Sequence, residues 1–214
     1  MRLTLTKGAL AAIAALSLAA GVPAVSAAED HSQHMLHGQG GMAQGRLQIK
    51  LADTVLTDQN GKSVKFRTEV MADRLAVVNF IYTTCTTVCP VQSALIADLQ
   101  QRLGERSGRD VALISVSVDP LRDTPLRLKE FAARYRAGPG WSFLTGSRQA
   151  VDEVLKAFDV YTPNFADHPA AVLVGNPRTG EWARFLGFPS SDQLLGRLKE
   201  LQAGSQGVRS VRAN

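Results

Sequence analysis

Apolar residues along this chain follow two rhythms, one of strand length and one of helical spacing. Leu75 to Tyr82 and Val111 to Val118 are continuous apolar runs, the pattern of strands covered on both faces. Between them, Pro90 opens a predicted helix with Val91, Leu95, Ile96, Leu99 and Leu103 on one face. A second helix is capped by Asp123 or Thr124, opened by Pro125, and carries Leu128, Phe131, Ala132 and Tyr135 inward. A third follows the short strand Trp141 to Leu144; Ser147 caps it and Val151, Val154, Leu155 and Phe158 face the core. Ala170 to Val174 and Trp182 to Leu186 flank the turn Asn176-Pro177-Arg178-Thr179-Gly180 as a hairpin. Ser190 and Gln193 have the spacing of a capping box ahead of a last helix through about Leu201.

Upstream, Leu47 to Leu51 alternates, and Val55 to Thr57 and Ser63 to Phe66 surround the turn Asp58 to Lys62, which predicts an N-terminal β-hairpin. Buried strands alternating with helices indicate an α/β fold, and the late hairpin makes its sheet mixed. A mixed sheet flanked by helices, with a cysteine pair at the mouth of one strand-to-helix loop, is thioredoxin-like. Trp141 and Trp182 read as packing residues of that core rather than as a binding platform.

Residues 1–28 have the layout of an export signal: Arg2 and Lys7, an Ala/Leu/Ile stretch from Gly8 to Ala20, then the small residues Val25-Ser26-Ala27. Cleavage is expected, which makes the protein exported and periplasmic. An uncleaved segment would instead anchor it to the inner membrane, since Ala9 to Ala28 is roughly long enough to cross a bilayer. Residues 29–45 are polar and free of apolar periodicity, which reads as a flexible arm. It contains His31, His34, Met35, His37 and Met42, imidazole and thioether groups that suit copper, although a solvated tail explains them equally well. One domain over residues 46–203 and a frayed tail over 204–214 complete the expected organisation. The chain's net charge of +5 falls to about +3 without Arg2 and Lys7. With export implied and no basic stripe, nucleic-acid binding is not expected.

The chain contains two cysteines, Cys85 and Cys89, placed where the Leu75 to Tyr82 run meets the start of a helix. Unsatisfied backbone N–H groups at a helix N-terminus favour the thiolate, which attacks disulfides and binds soft metals. A purely structural disulfide would contribute little, because the loop it closes is very short. His168 is the one histidine of the 46–203 domain and immediately precedes the strand Ala170 to Val174. In a thioredoxin-like sheet the loop entering that strand lies beside the loop leaving Leu75 to Tyr82, so His168 can face both sulfurs. Pro169 biases His168 toward extended backbone.

Three segments carry a family resemblance: Phe80-Ile81-Tyr82-Thr83-Thr84-Cys85-Thr86-Thr87-Val88-Cys89-Pro90, Ser115-Val116-Ser117-Val118-Asp119-Pro120-Leu121-Arg122-Asp123-Thr124-Pro125, and Asp167-His168. With them, the chain from about Leu47 to Leu201 resembles the Sco/SenC copper chaperones. The resemblance implies one copper ion, Cu(I) or Cu(II), held by Cys85, Cys89 and His168. It also implies delivery to the binuclear copper centre of cytochrome c oxidase, with that enzyme's copper-bearing subunit as partner. Another periplasmic copper chaperone or a thioredoxin-like reductant would be a further partner. The signal departs from the family pattern, in which many members are membrane-anchored, and Gly175-Asn176-Pro177 stands where an acidic turn is common.

Two thiolates and an imidazole form a soft, three-coordinate set suited to Cu(I), whereas zinc prefers a fourth ligand. The three-residue spacer Thr86-Thr87-Val88 lets the sulfurs splay around an ion. The threonines around Cys85 are candidate donors to sulfur, and Asp167 is a candidate to orient the imidazole. Asp119, Arg122 and Asp123 are expected on the same edge of the sheet, as a docking rim or, for Asp123, as a cap. The competing enzymatic reading is a thiol-disulfide oxidoreductase that cycles Cys85 and Cys89 to keep an acceptor's copper-ligand cysteines reduced. A thiol peroxidase is disfavoured, because the sequence around Cys85 lacks the corresponding cysteine signatures.

Overall fold

The computed structural model describes residues 42–212, with side chains over 45–204. The expectations for 1–41, including the export signal and His31, His34, Met35 and His37, lie outside them. Among the described residues no helix is long and apolar enough to cross a membrane.

Among the described residues, eight strands form one mixed sheet: β1 (Met42–Gln48), β2 (Val55–Asp58), β3 (Ser63–Lys65), β4 (Leu75–Ile81), β5 (Val111–Ser117), β6 (Trp141–Thr145), β7 (Ala171–Asn176) and β8 (Glu181–Leu186). Their spatial order is β1-β8-β7-β4-β5-β6-β2-β3. The two apolar runs become the adjacent parallel strands β4 and β5, and β6 continues parallel to β5. On the other side β7 and β8 run antiparallel, with Asn79 of β4 opposite Val172 of β7. The segment entering β7 therefore lies at the same edge as the loop leaving β4, as the sequence predicts. The predicted β2–β3 hairpin is present and joins the sheet through β6.

Among the described residues, four α-helices cover the sheet: α1 (Val88–Leu103), α2 (Pro125–Arg134), α3 (Arg148–Ala157) and α4 (Ser191–Arg212). Strand alternation divides the core. Val77 and Ile81 face a cluster with α1, α2 and α4, whereas Ala76, Val78 and Phe80 face one built on α3 and Phe66. The predicted caps hold: Thr124 accepts from Arg127 N at 3.3 Å, Ser147 accepts from Ala150 N at 3.2 Å, and Ser190 and Gln193 bond reciprocally. Trp141 and Trp182 are fully buried. Gly175 opposes Trp182 across β7–β8, and a Cβ at Gly175 would lie 2.1 Å from the indole. That close approach is the reason for glycine inside a strand.

Four expectations are corrected. The polar composition predicts a flexible arm through residue 45, but Met42–Gln48 is strand β1, paired with β8. The second hairpin strand, expected through Phe66, ends at Lys65; Phe66–Met71 form a single π-helical turn that buries Phe66, Val70 and Met71 without a regular apolar period to signal it. The buried face of α1 is Cys89, Gln92, Ser93, Ile96, Leu99 and Leu103, so Val91 is exposed and Leu95 half-buried. Starting the helix at Val88 rather than Pro90 puts Cys89 itself on the inward stripe. The last helix continues to Arg212 instead of ending near Leu201 with a frayed tail. No proline stops it, and an internal glycine costs a helix only about 1 kcal/mol.

Candidate metal and thiol site

Cys85 lies in the loop between β4 and α1, and Cys89 lies in the first turn of α1. Both are free thiols and both are buried, Cys85 at 8% exposure and Cys89 at 0%. The N-cap residue Thr87 makes no side-chain cap bond; instead the Cys89 backbone N–H donates to Cys85 Sγ at 3.3 Å. Cys85 thus takes the role of a capping acceptor at a helix N-terminus, a position that favours negative charge.

The environment separates the two thiols. Burial alone would raise Cys85, but hydrogen bonding from the Cys89 thiol, from the Cys89 and Thr87 backbone N–H groups and from the Tyr82 phenol outweighs it and brings Cys85 down to about 7. Burial pushes Cys89 up to about 12, and its hydrogen bond to Cys85 adds to the rise. Tyr82 is pushed up to about 12 by burial and by its bond to Cys85, so it stays a neutral donor. At neutral pH the pair is one thiolate-forming sulfur, Cys85, beside one protonated thiol, Cys89.

His168 follows the short 3-10 turn Phe165–Asp167. Its Nδ1 lies 2.8 Å from Phe165 O. A carbonyl oxygen only accepts, so Nδ1 carries the proton and Nε2 keeps its lone pair for a metal or a proton. Asp167, expected to orient the ring, accepts instead from Asn164 Nδ2 at 3.0 Å. The His168 ring packs against Tyr82 with centroids 5.8 Å apart. The three expected ligands are on one sheet edge but do not converge: among the described residues, no group of three or more His, Cys, Asp or Glu side chains is placed to hold a metal ion.

Sequence reasoning missed the role of Asp123. Buried at 1% exposure, it accepts from Thr83 N at 3.1 Å, from the Thr83 hydroxyl at 2.6 Å and from the Ser117 hydroxyl at 2.6 Å. Thr83, a candidate donor to sulfur, is committed to this carboxylate. The helix cap belongs to Thr124. Arg122 pairs with the 2%-exposed Asp119 side chain at 3.1 Å, and its guanidinium lies 5.6 Å from the Phe165 ring centroid. The signal for Asp123 was its expected place on the cysteine edge; its partner Thr83 comes from the β4–β5 pairing.

The family model for SCO1/SenC matches residues 47–201. The chain belongs to the SCO1/SenC family. A SCO1 protein homologue of Bacillus subtilis is 41% identical over 104 residues, 47% of this chain and 52% of the relative. The chain thus spans about half the length of that relative. Among solved structures, BsSco, a Sco-family cytochrome c oxidase assembly protein with a disulfide switch, superposes with a TM-score of 0.63 at 29% identity, covering 75% of this chain and 97% of that one. Copper-bound ScoI of Bradyrhizobium japonicum gives 0.59 at 25% identity, covering 71% and 99%. The SCO1/SenC match takes in all three motif segments, including Cys85, Cys89 and His168. These neighbours carry the thioredoxin-like fold that the sheet order and the cysteine position had indicated.

Proposed function

We propose that this protein binds one copper ion through Cys85, Cys89 and His168 and delivers it to a cytochrome c oxidase under assembly. The observation that carries the reading is the placement of two buried thiols and one imidazole with a free Nε2 at a single edge of the sheet, in a chain whose SCO1/SenC relatives include a copper-bound structure. The donor set fits the cargo: two sulfurs and one nitrogen suit Cu(I). Cys85 supplies a thiolate near neutral pH, Cys89 gives up its proton as the ion binds, and the Nε2 lone pair completes the set. His168 must move toward the sulfurs to do so. An ion held by one ligand on a separate segment is released by exchanging that ligand first.

The test is a titration of the reduced protein with Cu(I) against a competing chelator. One equivalent is expected in the wild type and none at that affinity in Cys85→Ser or Cys89→Ser. Uptake that survives either serine variant would overturn the reading.

The separation of the two thiols supports a second activity at the same sulfurs. The Cys85 thiolate attacks one sulfur of an acceptor disulfide and releases the other as a thiolate; Cys89 then loses its proton and attacks Cys85 Sγ. The acceptor leaves as a dithiol, and this chain holds a Cys85–Cys89 disulfide until an external dithiol reduces it. A Cys89→Ser variant is expected to accumulate the mixed disulfide with a peptide carrying such a disulfide. Absence of that adduct would remove this second reading and leave copper binding intact.

A further inference from the structure

We propose that Tyr82, Phe165 and Arg122 form a latch that keeps His168 off the cysteine pair in the metal-free protein, so that copper uptake is controlled by release of residues 162–169; this rests on the copper reading above. The hydrogen bonds of that segment close within it: Thr162 Oγ1 to Asn164 O, Asn164 Nδ2 to Asp167, Ala166 N to Asn164 Oδ1, and His168 Nδ1 with Phe165 O. Its attachment to the rest of the protein is through rings. The Phe165 ring meets Tyr82 edge-on at 5.2 Å, and the Arg122 guanidinium lies 5.6 Å from the Phe165 centroid. Arg122 is in turn held by buried Asp119 at 3.1 Å. His168 rests on the same tyrosine, at 5.8 Å.

Tyr82 therefore holds the segment at two points. Its ring meets both Phe165 and His168, so the side chain three residues before Cys85 seats the segment that carries the remaining ligand. The latched arrangement is the thiol form of the site, and the released one is the metal-holding form. When only the released fraction binds, apparent affinity and association rate both scale with that fraction, whereas dissociation from the assembled site does not. Arg122 and Phe165 act through His168 and Tyr82 and are positioning residues.

Two variants weaken the latch without touching a copper ligand: Arg122→Gln removes the cation over the ring, and Phe165→Leu removes the π-face while keeping bulk. In the reduced, metal-free protein, amide hydrogen exchange over 162–169 is expected to rise about 2- to 5-fold in each variant, the scale of one cation–π contact. Amides of β4 stay unchanged. Stopped-flow Cu(I) binding is expected to show association faster by the same factor at constant dissociation rate. Unchanged exchange in both variants overturns the latch, as does copper dissociation that changes while association does not. A wild type that binds no copper at the cysteines overturns the copper reading instead, and the exchange measurement still decides on the latch because it needs no metal.

Discussion

Asp123 joins Thr83 to Ser117: one buried carboxylate receives the backbone N–H and hydroxyl of the first residue and the hydroxyl of the second. The loops leaving the parallel strands β4 and β5 are thereby fixed to each other just before the cysteines. Replacing Asp123 by alanine takes this acceptor from the buried Ser117 hydroxyl and from the half-buried Thr83 donors. It is expected to lower unfolding free energy by about 1–3 kcal/mol, read by urea denaturation. Asp123→Asn, which keeps an acceptor oxygen, is expected to cost less.

The same carboxyl gives stability a pH dependence of defined sign. Burial pushes Asp123 up, against the hydrogen bonds from Ser117 and Thr83 that pull it down. The folded state therefore holds this proton more tightly than the unfolded chain does. Its stabilising contribution is full below the ordinary carboxylate range and is lost as pH rises through the raised folded value. Urea denaturation across that range is expected to show the decline in the wild type and a flatter profile in Asp123→Asn; identical profiles would contradict the assignment.

Cys85 and Cys89 are expected to react at different pH. Iodoacetamide should modify Cys85 with a midpoint of about 7, while Cys89 stays protonated up to about 12. A thiol whose folded value is lowered stabilises the fold above its unfolded pKa and loses that contribution as pH falls through about 7. Tyr82→Phe removes one donor to the sulfur and is expected to move the Cys85 midpoint upward. Peptide mass mapping after pulsed alkylation at a series of pH values reads both.

Gly175→Ala is expected to destabilise the fold by about 1–3 kcal/mol, because the new methyl group enters the Trp182 indole in a packed core. Thermal unfolding followed by tryptophan fluorescence reads the loss and the altered Trp182 environment together.

Most of the fold was legible because its signals are local. The apolar runs gave β4 and β5, and Pro125, Ser147 and the Ser190/Gln193 pair marked helix starts that the hydrogen bonds reproduce. The face of α1 was misread because its inward stripe uses Cys89, Gln92 and Ser93 rather than Val91 and Leu95. Gln92 belongs there because its side chain donates to Gly187 O at 3.1 Å, a contact 95 residues away in sequence. At the site, topology correctly put His168 on the cysteine edge. It did not disclose Tyr82, which reads as the last apolar residue of a strand until the structure sets its ring against Phe165 and His168. Asp123 escaped for a related reason: a carboxylate before a threonine and a proline looks like a cap, and only the β4–β5 pairing brings Thr83 to it.

X-ray absorption at the copper edge of the reduced protein loaded with one equivalent of Cu(I), compared with His168→Ala loaded in the same way, tests the central claim most directly. Two sulfur neighbours and one nitrogen are expected in the wild type, with the nitrogen lost in the variant. The same first shell in both proteins would contradict it.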